Sequence, residues 1–244
     1  MNALKAIILF ALTAIPLQAA FPQVTRTYRA EQYRDSVDSL QELYGRNKVM
    51  PAEFRLQILL ALSHYPELKD TRIEFSVGSA FIPLTSRPAL WSVSRSKEKR
   101  VYKVVISDNS LEEIDPILLE NQPFNAQVGV IGHELAHTAY YSRKGLLPVM
   151  STAMRYLISG YRSGFEKGAD LLTIDHGLGW QLLDYARFIR SRPGITDKSI
   201  RWMDQYYMSP DEIRSAMKIL PDLYPDLQPC HGTNPVRVNY LELL

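Results

Sequence analysis

Residues 127–141 read QVGVIGHELAHTAYY, which sets two histidines four positions apart with a glutamate directly after the first. An α-helix turns about 100° per residue, so His133 and His137 lie only about 40° apart on its surface and both imidazoles reach one ion. Glu134 sits about 100° from His133, beside that ion rather than behind it. Val128, Ile131, Leu135 and Ala139 fall on the opposite side and form an apolar stripe suited to a core. One helix thus offers one face to the interior and another to a polar cavity. That is the physical content of the H-E-x-x-H zinc pattern.

A catalytic zinc usually takes three protein ligands and keeps one position open. The third is expected in residues 163–177, SGFEKGADLLTIDHG, where Glu166 and Asp170 share a helix face. Glu166 is read as the third ligand. Asp170 is placed one step further out, accepting a hydrogen bond from a ligand histidine and fixing its ring.

HELAH followed by FEKGAD resembles the gluzincin metallopeptidases, in particular the HtpX-like and CAAX-prenyl-protease-like families, over a span from about residue 71 to about residue 176. The resemblance implies one zinc per chain on His133, His137 and Glu166, with Glu134 as catalytic base. Two departures stand out. The membrane-embedded relatives carry transmembrane helices that are not visible here. YYMSPDEIR (206–214) occupies the place of a later histidine-containing motif without supplying a histidine. Tyr206, Tyr207 and His231 are therefore the candidates for a second group stabilising an oxyanion.

The surrounding chain fixes the setting. Residues 1–20 combine a basic start, an apolar run of about ten residues, Pro16 and a small-residue stretch ending in Ala19-Ala20. This is the pattern of a secretory signal peptide, leaving 21–244 as one zincin-like domain, exported and periplasmic by preference. With 28 basic and 26 acidic side chains, the chain lacks the footprint of a nucleic-acid binder. Cys230 is the sole cysteine, so no internal disulfide forms.

Helical spacing predicts two helices in 30–64, with Tyr33, Val37, Leu40 and Tyr44 on one face. Gly45 is read as a stop, and Pro51 as the first residue of a second helix carrying Phe54, Ile58, Leu59 and Leu62. TRIEFSV, AFIPL, ALWSVS and RVYKVVIS predict a small mixed or antiparallel sheet over about 71–107, with SRSKEKR as an exposed hairpin turn. Ser110-x-x-Glu113 and Ser209-x-x-Glu212 have capping-box spacing. The fold class is α+β, mainly helical, with the zinc-site helix pair within about 123–176.

The expected function is zinc-dependent hydrolysis of a peptide or protein, with RVYKVVIS as an edge strand that pairs with extended substrate. His64 and His176 are read as structural or surface residues. The competing classes are a catalytically inert zinc-binding or scaffold protein of the cell envelope and a metal-free helical adaptor. Glu134, which no structural zinc site needs, speaks against the first, and metal content separates the second.

Overall fold

The structure, a computed structural model, describes residues 24–80, 82–108 and 115–227. The expectations for residues 1–20, the Ser110–Glu113 box, Cys230 and His231 lie outside the described residues. The fold is mostly helical with a small mixed sheet, as the apolar spacing requires.

A single turn, α1 (Ala30–Tyr33), leads into α2 (Val37–Tyr44), and α3 (Arg55–Leu62) follows. Tyr33, Leu40 and Tyr44 pack against the core from the first segment, while Phe54, Ile58, Leu59 and Leu62 are buried in or just before α3. One boundary reading changes. Pro51 precedes the helical turn at Ala52–Phe54 instead of starting it, because its ψ of 142° is extended. Gly45 is the stop expected of it, capping α2 in a right-handed conformation, and Asn47 takes the left-handed position at φ 59°.

The sheet runs β1-β2-β4-β3, with β1 (Lys48–Val49), β2 (Arg72–Gly78), β3 (Leu84–Pro88) and β4 (Val101–Ser107). β1, β2 and β4 are parallel, and β3 is antiparallel to β4. The strand expected at an edge, β4, is therefore interior, flanked on both sides. Its alternate residues Val104 and Ile106 are buried, as befits a central strand. The edge nearest the histidine helix is β3. ALWSVS is not a strand either. The Ser92 hydroxyl donates to the Ala89 and Val101 carbonyls and accepts from the Val101 N–H, so the chain coils into a short 3-10 turn. The hairpin connection consequently runs from residue 89 to residue 100.

The spine of the molecule is α4 (Phe124–Arg143). It packs against β3 and α3, and against two later helices, α6 (Ser159–Thr173) and α7 (Gly179–Ser191). Its stripe of Val128, Ile131, Leu135 and Ala139 is fully buried; each large aliphatic side chain so placed is worth about 2 kcal/mol. Gly129 allows the closest approach: a Cβ there would stand 2.3 Å from the Gln181 carbonyl oxygen of α7. Between α4 and α6 runs α5 (Leu146–Arg155). Between α6 and α7 the chain makes a π-turn at Ile174–Leu178 that closes on Gly177, at φ 82°. The last helices, α8 (Asp197–Tyr206) and α9 (Pro210–Lys218), follow, and α9 begins with the expected Ser209–Glu212 capping box. A second apolar cluster joins α7 to α9 through Trp180, Leu183, Ile213, Met217 and Tyr224.

Candidate metal centre

Every residue of α4 from Asn125 to Tyr140 is buried, including His133, Glu134 and His137. The apolar stripe explains one side of that helix. The polar side is covered by α6, whose Glu166 and Asp170 are equally buried and face it. Uncompensated, five ionisable side chains in one interior would be prohibitively costly, so they must satisfy each other or an ion.

The geometry shows how. His133 Nε2 and His137 Nε2 are 3.1 Å apart, and each lies 3.2 Å from Glu166 Oε2. These three side chains are the one group of His, Cys, Asp and Glu among the described residues with ligand atoms within 4.8 Å of one another. Two imidazole nitrogens at contact distance cannot both be satisfied by one proton and a shared carboxylate oxygen. An ion with bonds of about 2.0–2.2 Å in tetrahedral array sets ligand atoms about 3.3–3.6 Å apart, a little wider than the separations here. The triangle is therefore close to the right size for such a cation, and two nitrogens with one carboxylate oxygen suit a borderline metal such as zinc.

The supporting contacts differ between the two histidines. His133 Nδ1–H donates to Asp170 Oδ1 at 2.8 Å, which turns its Nε2 toward Glu166. Asp170 is itself held by the Met208 N–H, which donates to Oδ2 at 2.8 Å. His137 has no such carboxylate; its ring stacks on Phe165 at 4.8 Å, and its Nδ1 has no hydrogen-bond partner among the described residues. The Tyr156 hydroxyl donates to Glu166 Oε1, leaving Oε2 for the histidines.

Electrostatics follow the burial. Burial alone would drive the His133 proton off, but Asp170 and Glu166 outweigh it and hold its pKa well above the usual value. Burial raises Glu166, yet the two histidines dominate and hold it well below the ordinary carboxylate range. Glu134 behaves differently. Burial pushes its pKa up, and the histidines only partly offset this. Like Asp170 it stays outside the triad, but it takes a backbone hydrogen bond from Ser86 of the edge strand β3. The Thr138 hydroxyl, which donates to the Glu134 carbonyl at 3.2 Å and meets Ser86 Oγ at 2.8 Å, fixes that strand to the helix.

The adjacent tyrosines part company. The α8 helix ends at Tyr206 and Tyr207 is extended, at φ −116° and ψ 156°. Tyr207 turns its ring to within 5.9 Å of His133, and burial, with Glu166 beside it, holds its hydroxyl protonated well above the usual range. Tyr206 instead shares its hydroxyl with Ser159 Oγ at 3.1 Å and lies under the Arg162 guanidinium, away from the triad. His64 and His176 also stand apart. His64 is a core residue between Tyr28 and the His176 carbonyl, and His176 pairs with Glu67.

Sequence reading did not find Tyr156 or the Met208 N–H. Tyr156 lies in the turn before α6, where no periodicity flags it, and a backbone donor leaves no mark in residue type. No protein-family model, no curated protein and no solved structure matches the chain.

Proposed function

We propose that the protein is a zinc-dependent peptidase in which His133, His137 and Glu166 hold the metal and Glu134 is the general base. The observation that carries this reading is Glu134. It is a buried carboxylate beside the triad with a raised pKa, outside the ligand set, where a structural metal site has no use for it. A zinc ion held by His133, His137 and Glu166 would supply Lewis acidity toward water and a peptide carbonyl.

The protein's own groups do the rest. Glu134 takes a proton from the attacking water and returns it to the departing amine, a task suited to a carboxyl whose pKa burial raises. Asp170 keeps His133 in the tautomer whose Nε2 lone pair faces inward. Tyr207 is the donor positioned to stabilise developing negative charge, since Tyr206 points elsewhere. The edge strand β3, tied to α4 through Ser86 and Thr138, offers an extended backbone for substrate pairing beside Glu134. Specificity then rests on register and neighbouring pockets, which favours an endopeptidase. Export to the periplasm accords with the leader-like residues 1–20.

The test is digestion of a mixed peptide library by the purified protein, with and without a zinc chelator, alongside Glu134→Gln. Cleavage by wild type alone, abolished by chelator and in the variant, supports the peptidase. A preparation holding one zinc per chain that cleaves nothing overturns it in favour of an inert zinc protein.

A further inference from the structure

On α5, Val149 and Thr152 are buried toward the body of the protein, while Leu147, Met150 and Met154 point the other way and are 78%, 53% and 74% exposed. Positions i, i+3 and i+7 share a helix face, so the outward face of α5 is the apolar one. Leu157 and Ile158, directly after it, continue the pattern at 89% and 61% exposed. The connection between β3 and β4 adds Leu90 and Trp91, also exposed. Both segments meet at the carboxyl end of α4. Lys97 Nζ donates to the Arg143 carbonyl at 3.2 Å, and Arg100 Nη1 donates to the Lys144 carbonyl at 3.0 Å. Among the described residues, seven of the twelve exposed large hydrophobic side chains lie in these two short segments, so their exposure is not scatter.

The charge around them is one-sided. Residues 89–99 and 135–165 carry Arg95, Lys97, Lys99, Arg143, Lys144, Arg155 and Arg162 against a single acid, Glu98, in a chain that is otherwise nearly balanced. Arg143 is engaged by Glu67. Arg95 lies over the exposed Trp91 ring at 4.9 Å and Arg155 over Tyr161 at 4.2 Å, so guanidinium groups stand directly beside aromatic faces. Exposed aliphatic side chains in segments rich in cations, with an aromatic carrying its own cation, match an anionic bilayer surface: apolar groups enter the acyl boundary and cations meet phosphates. A second copy of this chain fits poorly, because a self-complementary face would set these cations against one another.

We propose that α5, Leu157-Ile158 and the Leu90–Lys99 connection form a docking surface for an anionic lipid bilayer, seating the protein on the membrane with the metal centre just behind the contact. This holds whether or not the centre cleaves peptides.

The test uses the full chain with vesicles of phosphatidylglycerol and phosphatidylcholine, and with phosphatidylcholine alone. The readout is quenching of tryptophan fluorescence by lipids brominated in the acyl chains, with Trp91→Phe identifying the part due to Trp91. That signal is local, so attachment through residues 1–20 does not mimic it. Quenching of Trp91 is expected on the anionic vesicles, weakened by salt, and lost in Leu147→Glu/Leu157→Glu. Lys97→Glu/Lys99→Glu is expected to weaken apparent affinity roughly tenfold or more. Circular dichroism and thermal unfolding should match wild type, since all four side chains except that of Lys97 lack contacts described above. Should either variant misfold, the salt and lipid-charge dependence of the wild type still decides the matter. Trp91 left unquenched, equal quenching on neutral vesicles, or concentration-dependent self-association abolished by Leu147→Glu/Leu157→Glu would each overturn the proposal.

Discussion

The centre of α4 and the outer face of α5 stand only a dozen residues apart in sequence, and each contradicts its expected placement. The centre buries His133, Glu134, His137, Glu166 and Asp170, residue types that water normally keeps. The face exposes Leu147, Met150, Met154 and Leu157, residue types that a core normally keeps. At the first, polar groups repay their desolvation by meeting one another within 3.2 Å. At the second nothing among the described residues covers the exposed face, which is the ground for the bilayer proposed above. Disagreement between residue type and burial therefore marks both places where we propose that the protein meets something other than itself.

The sharpest way to break the comparison is at its polar end. Glu134→Gln should lower peptide cleavage by about 10²–10⁴-fold while zinc content, read by atomic absorption, stays at one per chain. Loss of metal with loss of activity would show Glu134 to be a ligand and not a base. Asp170→Asn keeps shape but exchanges the carboxylate for an amide, and should weaken zinc binding by about 10–100-fold in competition with a chromophoric chelator. An unchanged affinity would mean that packing alone orients His133.

A third prediction concerns protons elsewhere in the interior. His64 Nδ1–H donates to the His176 carbonyl, Nε2 accepts from the Tyr28 hydroxyl, and burial pushes its pKa from 6.5 down to about 4. Protons therefore favour the unfolded chain between those values. Its contribution is complete above about pH 6.5 and is lost progressively toward pH 4, on the order of 3 kcal/mol in all. Urea unfolding of wild type and His64→Gln across that range should converge as pH falls; parallel curves would count against a neutral buried imidazole. Gly129→Ala should cost about 1–3 kcal/mol by forcing α4 off α7, seen as a lower midpoint in the same experiment. At the apolar end, Leu147→Ser should change stability by no more than about 0.5 kcal/mol. A larger loss would mean that the outward face of α5 is covered after all.

Much of the centre was legible because it rests on side chains repeating at helical spacing. His133, His137, Glu166 and Asp170 lie four apart within two helices, and the facing stripe announced which side was core. The sheet was read less well. Alternating apolar residues predict that RVYKVVIS is a strand, but not which strands lie beside it; neighbours are set by pairing across the chain, here β2 and β3. ALWSVS has strand-like composition, yet Ser92 satisfies the backbone locally and coils it. Tyr206 and Tyr207 were indistinguishable by type. The end of α8 between them separates their directions.

The Met208 N–H on Asp170 has a consequence for the order of assembly. Ser209 and Glu212 cap α9 immediately afterwards, and Glu212 is bound by Lys167 of α6 at 2.9 Å. The segment 208–212 is thus fastened to α6 at two points, one of them the carboxylate that steers a metal ligand. All three proposed metal ligands precede residue 167, but the frame that aims them closes only when α9 has docked. On the proposed metal reading, the nascent protein would hold its ligands early and its tight affinity late, which would make metal retention a readout of completed folding.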